Sequence, residues 1–504
     1  MKSLIRLFFG TAIVLLTVAA MAFIPKPNSK IYASAYENVL GTSMEIKILS
    51  AKEALATKAE EAAMKEIDRL NKILSGYDAN SEFSHWMQSG GKAVVVSPEL
   101  FEVLSLFEQW KIKTNGALDA SAETISKVWK QAAKENHLPS DAQMKNAVMQ
   151  VQQQHYILNE ANHTAQRLTN APLILNSFAK SYIMNKAADV ALSVKGAEAV
   201  VLNIGGDIVI RGAHTEQVLI ADPKADAEND LPIAKVNVQN KTIATSGNYR
   251  RGVSIDGKWY SHIVDPRTGK AADEVISATV IADNSVDAGA LATALNVLNK
   301  EEAQQLASGV KGAEYLIITK EGVEIKSKGW DAAAMPLVAK QNTIVNADNK
   351  QKTWDPKYEL AINVELATVE GMRVHRPFVA VWIMDGNKKP LRQLAVWFNK
   401  PKWLPDLRSW YAAYGDTFTA GSNASVSSTS SATRAPGKYT LKWDGKDDAG
   451  NLVPDGKYTI NVEAAREHGT HQFMTQEIDV KKQTQWSIAG NIEVASVSLE
   501  YRKK

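Results

Sequence analysis

The spacing of hydrophobic residues changes across residues 342–352, a polar stretch without periodicity. Before it, segments with helical spacing alternate with β-branched runs, and after it short β-rich runs are separated by turn residues. A chain of 504 residues is long enough for two or three domains. The sequence therefore predicts a first domain of mixed helices and strands, α+β or α/β, followed by an all-β domain.

The first domain is predicted to open with a strand at residues 36–49 and a long amphipathic helix at 54–74. Apolar stripes predict further helices at residues 98–113, 122–133, 178–194 and 287–298. β-Branched runs predict strands at residues 199–210, 235–244, 275–282 and 315–318.

The second domain shows the pattern of an all-β sandwich. Its predicted strands are residues 359–366, 377–384, 394–398, 437–443, 457–463 and 473–480. A Ser/Thr-rich stretch at 421–433 is predicted to be a mobile loop. Most of the tryptophans here are expected in the core, with an exposed contact platform formed by Trp403 and Trp410 as the alternative.

The amino terminus carries an export pattern. Lys2 and Arg6 precede an apolar stretch at residues 7–24, and Ala20 and Ala22 have the spacing that a signal peptidase accepts. Residues 1–24 are therefore predicted to be a signal peptide, with a membrane anchor as the alternative because about 18 uncharged residues can just span a bilayer. Either interpretation puts the rest of the chain outside the cytoplasm.

Composition excludes several classes of chemistry. The chain has no cysteine, which excludes disulfides, thiolate metal sites and a cysteine nucleophile, and which suits an oxidising compartment. Its net charge of +3 is too small to indicate a nucleic-acid partner. Any catalysis must use oxygen and nitrogen groups.

Two polar segments are candidates for chemistry. Thr245 lies in the run TSGNY, and His262, Asp265 and Arg267 lie in HIVDPRTG about 15 residues later. His262 is suited to act as a general base or an anion contact, and Arg267 to bind a phosphate or carboxylate. The alternative for HIVDPRTG is a plain hairpin turn, because Asp-Pro and Thr-Gly are common turn pairs.

Three further segments are candidates for binding. Gly205 and Gly206 follow a β-run and form either a phosphate-contacting turn or a simple bend. Lys180 stands at a helix start, where it is either an anion contact or simply solvated. Asp287 and Thr293 have hard-cation oxygens, although Asp287 could instead be a helix N-cap.

Taken together, these segments resemble the ApbE-type FAD:protein FMN transferases over roughly residues 36–330. The similar segments are Leu40-Gly41-Thr42 (family MGT), the Ser75 to Tyr77 run (Ser-x-Tyr), Asn115 to Asp119 (DGAFD), Leu175 to Tyr182 (ending AKGY), Gly205-Gly206-Asp207 (GGDI), Thr245 to Tyr249 (TSGDY) and His262 to Gly269 (HIIDPRTG).

The resemblance implies an α+β fold of the ApbE/T-fold type and a transfer of FMN from FAD to a Thr or Ser hydroxyl of an exported acceptor protein. AMP would leave, and Mg²⁺ would assist. It implies metal ligation by the Ser177 carbonyl and Thr293, and His262, Asp265 and Arg267 are the predicted catalytic residues. The implied FAD contacts are Tyr77, Ala117, Leu118, Asp119, Lys180 and Ile263. Further predicted contacts are Leu40, Gly205, Gly206 and Thr245.

Three departures from the family pattern bear on the prediction, and the first is Leu40 in place of the family Met. Ile174 stands where the family has an Asp that contacts the nucleotide, and Gly289 stands at the metal-binding Asp of the ADALATA helix. Asp287, two residues earlier, is the predicted substitute. The alternatives to transfer are therefore a metal-impaired protein that binds FAD, or a non-catalytic binding or scaffold module.

The second half resembles a β-rich domain of unknown function found behind ApbE domains, over roughly residues 355–482, which implies an immunoglobulin-like sandwich. The predicted organisation is a signal or anchor at 1–24, the transferase domain at 30–340, a linker at 341–354 and the sandwich at 355–504. We expect a location in the periplasm or at the outer face of the bacterial inner membrane, with membrane contact only through the amino-terminal segment.

Overall fold

A computed structural model describes residues 29–249, 251–334, 353–367, 377–398, 401–419, 430–431, 437–466, 469–480 and 484–504. The predicted signal segment, most of the predicted linker and most of the Ser/Thr-rich loop lie outside these ranges. Among the described residues, no helix has the length and apolar character needed to cross a membrane.

The chain divides into two compact units that are not contiguous in sequence. The first comprises Met1–Tyr32, Lys47–Val218 and Val236–Ala334. The second comprises Ala33–Ile46, Leu219–Lys235 and Met335–Lys504. Two segments inside the predicted range of the first domain thus belong to the second unit.

The part of the chain before residue 335 contains mixed helices and strands. Its helices are α1 Glu53–Leu74, α2 Glu82–Met87, α3 Pro98–Lys113, α4 Glu123–Glu135, α5 Asp141–Val151, α6 Ala179–Ser193, α7 Ser285–Ala294, α8 Lys300–Ser308 and α9 Trp330–Ala333. Its strands are β1 Lys30–Val39, β2 Thr42–Ser50, β3 Ala93–Val95, β4 Tyr156–Asn159, β5 Thr164–Arg167, β6 Ala197–Ile204, β7 Asp207–Gly212, β8 Glu216–Ile220, β9 Ala234–Val238, β10 Thr242–Gly247, β11 Gly252–Ile255, β12 Lys258–Ser261, β13 Val275–Ala282, β14 Glu314–Thr319 and β15 Glu324–Lys326.

An eight-stranded sheet organises this region, in the order β1-β2-β6-β7-β10-β13-β14-β15. Helix α6 packs on β6 and β7, and α7 packs on β10 and β13. The two helices also pack against each other, and the start of α6 at Ser177 lies beside Thr293 in the last turn of α7. This region contains four of the predicted site residues: Ser177, Lys180, Thr245 and Thr293.

The sequence located most of these elements but joined separate strands in three places. The predicted strand at 235–244 is β9 and β10, which are separated by a turn at Asn240 (φ +50°). The predicted strand at 199–210 is two strands, because Gly205 (φ +58°) and Gly206 (φ +94°) turn the chain and Ile204 pairs with Asp207. The predicted strand at 36–49 likewise turns, at Leu40 (φ +51°) and its following glycine.

Helices α5 and α8 were not predicted. Each is short and polar, so its apolar stripe is weak. Their capping boxes, Ser140 with Gln143 and Asn299 with Glu302, were the available sequence signals.

The second unit contains the predicted sandwich. Its strands are β16 Tyr358–Leu366, β17 Phe378–Met384, β18 Pro390–Trp397, β19 Ser430–Ser431, β20 Gly437–Trp443, β21 Lys457–Ala465, β22 His471–Asp479, β23 Gln485–Ala489 and β24 Val494–Lys503. They form a sheet β20-β16-β24-β23 and a sheet β19-β18-β17-β21-β22. Alternate residues of both sheets, among them Ile362, Val381, Trp397 and Trp443, form one buried core. The predicted all-β class is confirmed.

A helix that was not predicted, α10 Arg408–Thr419, belongs to a second cluster in this unit. Trp410 is fully buried there with Phe378 and Trp382, and Trp403 packs against the same cluster. The alternative of an exposed platform at Trp403 and Trp410 is therefore wrong. The aromatic side chains of α10 obscure its amphipathic pattern in the sequence, and the same side chains pack the helix into this cluster.

Candidate functional site

The residues just before α6 connect several predicted site residues. Asn176 donates a hydrogen bond from Nδ2 to the Tyr77 hydroxyl, at 2.6 Å. The Ser177 carbonyl accepts a hydrogen bond from the Thr293 hydroxyl, at 3.4 Å. Helix α6 has no side-chain cap at its N-cap residue Phe178, and the Ala179 N–H donates to the Leu175 carbonyl at 3.0 Å. The structure thus brings Tyr77, Ser177 and Thr293 to one helix start.

Lys180 joins this group to the strands. Its Nζ lies 2.9 Å from Oδ2 of Asp207, the first residue of β7. Asp207 Oδ1 accepts a hydrogen bond from the Thr245 backbone N–H at 3.3 Å, and the Thr245 and Thr279 hydroxyls are 3.0 Å apart. Lys180 and Thr245 therefore meet through Asp207, and Lys180 is ion-paired rather than simply solvated.

The segment containing Ala117, Leu118 and Asp119 is held by its own hydrogen bonds. All three residues are buried. Asp119 Oδ1 accepts hydrogen bonds from the Ser121 N–H at 2.7 Å and the Ser121 hydroxyl at 2.6 Å, and its Oδ2 lies 2.6 Å from Lys111 Nζ. The carboxylate of Asp119 is thus already fully engaged, and its role as an FAD contact stays a prediction.

A backbone contact ties this buried segment to the helix start. The Ile174 N–H donates a hydrogen bond to the Ala120 carbonyl at 2.8 Å. Ala120 directly follows Asp119, and Ile174 lies shortly before Ser177. The position where the family has an Asp therefore lies between the two groups.

The two glycine turns are regular hairpin ends. The Gly206 N–H donates to the Asn203 side chain at 3.2 Å, and a Cβ atom on Gly206 would have no neighbour within 4 Å. Leu40 lies in the β1–β2 turn. Phosphate or flavin contacts at Gly205, Gly206 and Leu40 stay predictions.

The DPRTG segment forms a compact turn. The Asp265 carbonyl accepts hydrogen bonds from the N–H groups of Thr268 at 3.2 Å and Gly269 at 2.7 Å. The Arg267 guanidinium binds Asp265 with Nε at 3.0 Å and contacts Glu302 with NH1 at 2.9 Å. These bonds, with Asp265 first, raise the pKa of Arg267. The structure shows Asp265 and Arg267 paired with each other.

His262 stands at the edge of this turn. Its backbone N–H and its Nδ1 both face the Arg251 carbonyl, at 3.2 and 3.0 Å. Because a carbonyl only accepts, Nδ1 carries the hydrogen and Nε2 of the neutral ring has a free lone pair. His262 is an exposed residue, but desolvation lowers its pKa, and the charges of Arg251 and Lys130 add to this effect. The next residue, Ile263, is buried.

The predicted metal ligands do not all meet. The Thr293 hydroxyl is 3.4 Å from the Ser177 carbonyl and 3.1 Å from the Gly289 carbonyl. Helix α7 is continuous from Ser285 to Ala294, so Asp287 lies six residues from Thr293, about 9 Å along the axis. In the described ranges, no three His, Asp or Glu side chains form a group that could hold a metal.

Asp287 has a different environment. Burial raises the pKa of its carboxyl group, and the charge of Lys113 opposes that shift. The N-cap of α7 is Asn284, which accepts from the N–H groups of Val286 and Asp287, so the alternative of Asp287 as N-cap is wrong. The neutral oxygens of Ser177 and Thr293 lack the carboxylate that Mg²⁺ usually requires, and by themselves they do not fit a resident ion.

Sequence reasoning missed several residues that hold the site together. Asp207 pairs with Lys180, Asn176 anchors Tyr77, and Glu302 binds Arg267. Asn296, shortly after Thr293, donates to the Ser246 carbonyl at 3.3 Å and so links α7 to β10. Polar residues beside the predicted motifs were the available signal for Asn176 and Asp207.

Known proteins are similar to both halves of the chain. A model of the ApbE family matches residues 40–317, and a model described as a predicted periplasmic protein (DUF2271) matches residues 359–496. A Vibrio cholerae protein named FAD:protein FMN transferase is 27% identical over 307 residues, covering 58% of this chain and 89% of its own length. A Treponema pallidum protein of the same name is 28% identical over 306 residues, covering 56% and 84%.

Solved structures share the fold of the first half. An ApbE protein from Thermotoga maritima superposes with a TM-score of 0.54 at 24% identity and covers 61% of this chain and 100% of its own. The flavin transferase ApbE from Vibrio cholerae superposes with a TM-score of 0.51 at 22% identity, covering 60% and 99%. Because the ApbE model matches more than half of the residues, the chain belongs to the ApbE family.

Proposed function

We propose that this protein transfers FMN from FAD to a Thr or Ser hydroxyl of an exported acceptor protein and releases AMP. Membership of the ApbE family and the names of the curated relatives support this activity. The observation that carries the proposal is the convergence of predicted site residues at the start of α6. Asn176 binds Tyr77, the Ser177 carbonyl accepts from Thr293, and Lys180 lies in the first turn of the helix.

The chemistry is a displacement at phosphorus. The acceptor hydroxyl oxygen forms a new bond to the phosphorus on the FMN side of the pyrophosphate. The bond from that phosphorus to the bridging oxygen breaks, and AMP leaves with the electron pair. The hydroxyl proton passes to a base on the protein.

His262 is suited to be that base. Its Nδ1–H is bonded to the Arg251 carbonyl, which leaves Nε2 able to accept a proton. Its lowered pKa keeps the ring neutral near pH 7. Asp265 and Arg267, joined to each other and to Glu302, act as positioning residues that fix the turn carrying His262.

The start of α6 is suited to the pyrophosphate. Its uncapped N–H groups and the Lys180 ammonium favour an anion at this end of the helix. Tyr77 is 81% exposed while its hydroxyl is held by Asn176, so its ring offers a face for flavin stacking. The remaining predicted FAD contacts are Leu40, Ala117, Leu118, Asp119, Gly205, Gly206, Thr245 and Ile263.

A second candidate function is FAD binding without transfer. The absence of a carboxylate at Gly289, beside Ser177 and Thr293, favours it. The two candidates differ in one product: only the transferase releases AMP. Asp287 as a metal ligand stays a prediction for both.

We place the protein in the periplasm, or at the outer face of the inner membrane. The description of the second matched family as periplasmic and the predicted signal at residues 1–24 support this location. The acceptor is then an exported flavoprotein with a Thr/Ser flavinylation site. We expect no nucleic-acid partner.

Transfer is tested by incubating the mature protein with FAD, Mg²⁺ and such an acceptor, followed by denaturing electrophoresis. We expect flavin fluorescence on the acceptor band and none on an acceptor whose Thr or Ser is changed to Ala. A dark band with FAD bound but intact would favour the second candidate.

A further inference from the structure

The crossing of α6 and α7 contains a close contact that the proposed function does not use. Gly289 of α7 faces the first turn of α6. A Cβ atom placed on Gly289 would lie 2.5 Å from Ser181 Oγ, 3.3 Å from Ser181 Cβ and 3.4 Å from Phe178 Cβ. Ser181 is only 1% exposed. A side chain at residue 289 therefore requires Ser181 to move within a closely packed interface.

This contact lies beside the two neutral oxygens. Gly289 is one turn before Thr293, so both residues lie on the same face of α7. The Thr293 hydroxyl is 3.1 Å from the Gly289 carbonyl and 3.4 Å from the Ser177 carbonyl. A carboxylate at residue 289 would point toward these oxygens, into the space that Ser181 now fills.

The two residues also depart from the family segments together. Ser181 stands at the glycine of AKGY, and Gly289 stands at the aspartate of ADALATA. Their contact connects the two departures, because the Ser181 side chain fills the space that a side chain at 289 would need.

We infer that Ser181 and Gly289 are a matched pair that keeps an anionic ligand out of this site, so that a divalent cation binds here only together with the phosphates of FAD. The inference rests on the proposed function for the identity of that phosphate ligand. Ser177 and Thr293 supply neutral oxygens only, whereas Mg²⁺ sites normally combine carboxylates with substrate phosphates. The phosphate oxygens of FAD would supply the missing negative charge.

The test uses Mn²⁺ as the probe and measures the signal of unbound Mn²⁺ by electron paramagnetic resonance. Without FAD, the wild-type protein should leave Mn²⁺ free, and adding FAD should reduce the free signal. The double variant S181G/G289D should bind Mn²⁺ without FAD, at least about tenfold more tightly than wild type because it adds one charged ligand. G289D alone should bind as weakly as wild type, and S181G is the matched control.

Thermal unfolding checks the steric part independently. Gly289→Ala should lower the melting temperature when Ser181 is present and lower it less in an S181G background. This comparison decides the packing claim even where an Asp variant fails to fold.

Stoichiometric Mn²⁺ binding by the FAD-free wild type, particularly if Asp287→Ala removes it, would overturn the inference. So would G289D binding Mn²⁺ as tightly as the double variant, or FAD binding without uptake of Mn²⁺. The FAD-free measurements do not depend on transfer, so a wild-type protein that binds no FAD would refute the proposed function alone.

Discussion

Replacing Lys180 by Met separates its structural role from its role toward FAD. Its ammonium lies 2.9 Å from Asp207, and the two side chains are 29% and 10% exposed. Asp207 also accepts a hydrogen bond from the Thr245 N–H. Lys180→Met therefore removes a cation from the helix start and leaves a buried carboxylate without its partner.

The two roles have different magnitudes. Leaving the buried Asp207 carboxylate unpaired should cost about 1–3 kcal/mol of unfolding free energy. That loss lowers the melting temperature by about 2–4 °C per kcal/mol for a domain of this size. Loss of a charged contact to the FAD pyrophosphate should cost about 1.5–3 kcal/mol of binding free energy, which is roughly a 10- to 150-fold weaker Kd.

The matched variants are Asp207→Asn and the double variant K180M/D207N. Thermal unfolding and fluorescence titration with FAD are measured on all four proteins. We expect Asp207→Asn to keep FAD affinity, because Lys180 remains. The double variant should recover stability, since both members of the pair become neutral, while its FAD affinity stays low.

If FAD affinity recovers together with stability in the double variant, Lys180 acts only by pairing with Asp207. The assignment of Lys180 as an FAD contact would then be wrong.

Substitutions at three further residues, with their control variants, test other parts of the site. Thr293→Val removes the hydroxyl beside the Ser177 carbonyl and should lower the transfer rate about tenfold or more, whereas Thr293→Ser should retain most of it; equal rates in all three proteins would contradict a role for this hydroxyl. The pKa of His262 is lowered in the folded state, so the unfolded chain takes up this proton first as pH falls. The stability that neutral His262 contributes is therefore complete above the ordinary pKa of about 6.5 and decreases below it; His262→Gln should flatten this decrease in pH-dependent melting curves and should abolish most transfer. Gly269→Ala should lower the free energy of unfolding by about 2–5 kcal/mol, because residue 269 has φ +77° and a Cβ would lie 2.2 Å from Met144 Sδ. The control is Gly257→Ala, with φ +71° and open space around the Cβ, which should cost only about 1–2 kcal/mol. Denaturant unfolding measures both.

The sequence was sufficient to predict the elements whose hydrophobic residues follow a strong periodicity. Strand β13 has the predicted bounds Val275–Ala282, and the helix predicted at 98–113 is α3 with the same bounds. Both are long apolar patterns that no turn residue interrupts. Helix α10 was missed because its pattern mixes aromatic and polar residues, and its burial depends on the sheet that it covers.

The site could be located from motifs, but its internal pairing could not. Lys180 lies on a helix and Asp207 on a strand, and neither local sequence indicates that the two side chains form an ion pair. Ser181 and Gly289 are still further apart in sequence, and their contact follows from the crossing of two helices. Tertiary packing, which local patterns do not encode, decided both pairs.

The most direct test of the proposed transfer is the intact mass of the acceptor protein together with the AMP released. After incubation of the mature protein with FAD and the acceptor, we predict that the acceptor gains the mass of one FMN phosphoester at its Thr or Ser. One AMP should appear for each acceptor modified, and His262→Gln should suppress both. An unchanged acceptor mass with FAD intact, or the same gain on an acceptor lacking that hydroxyl, would contradict the proposed function.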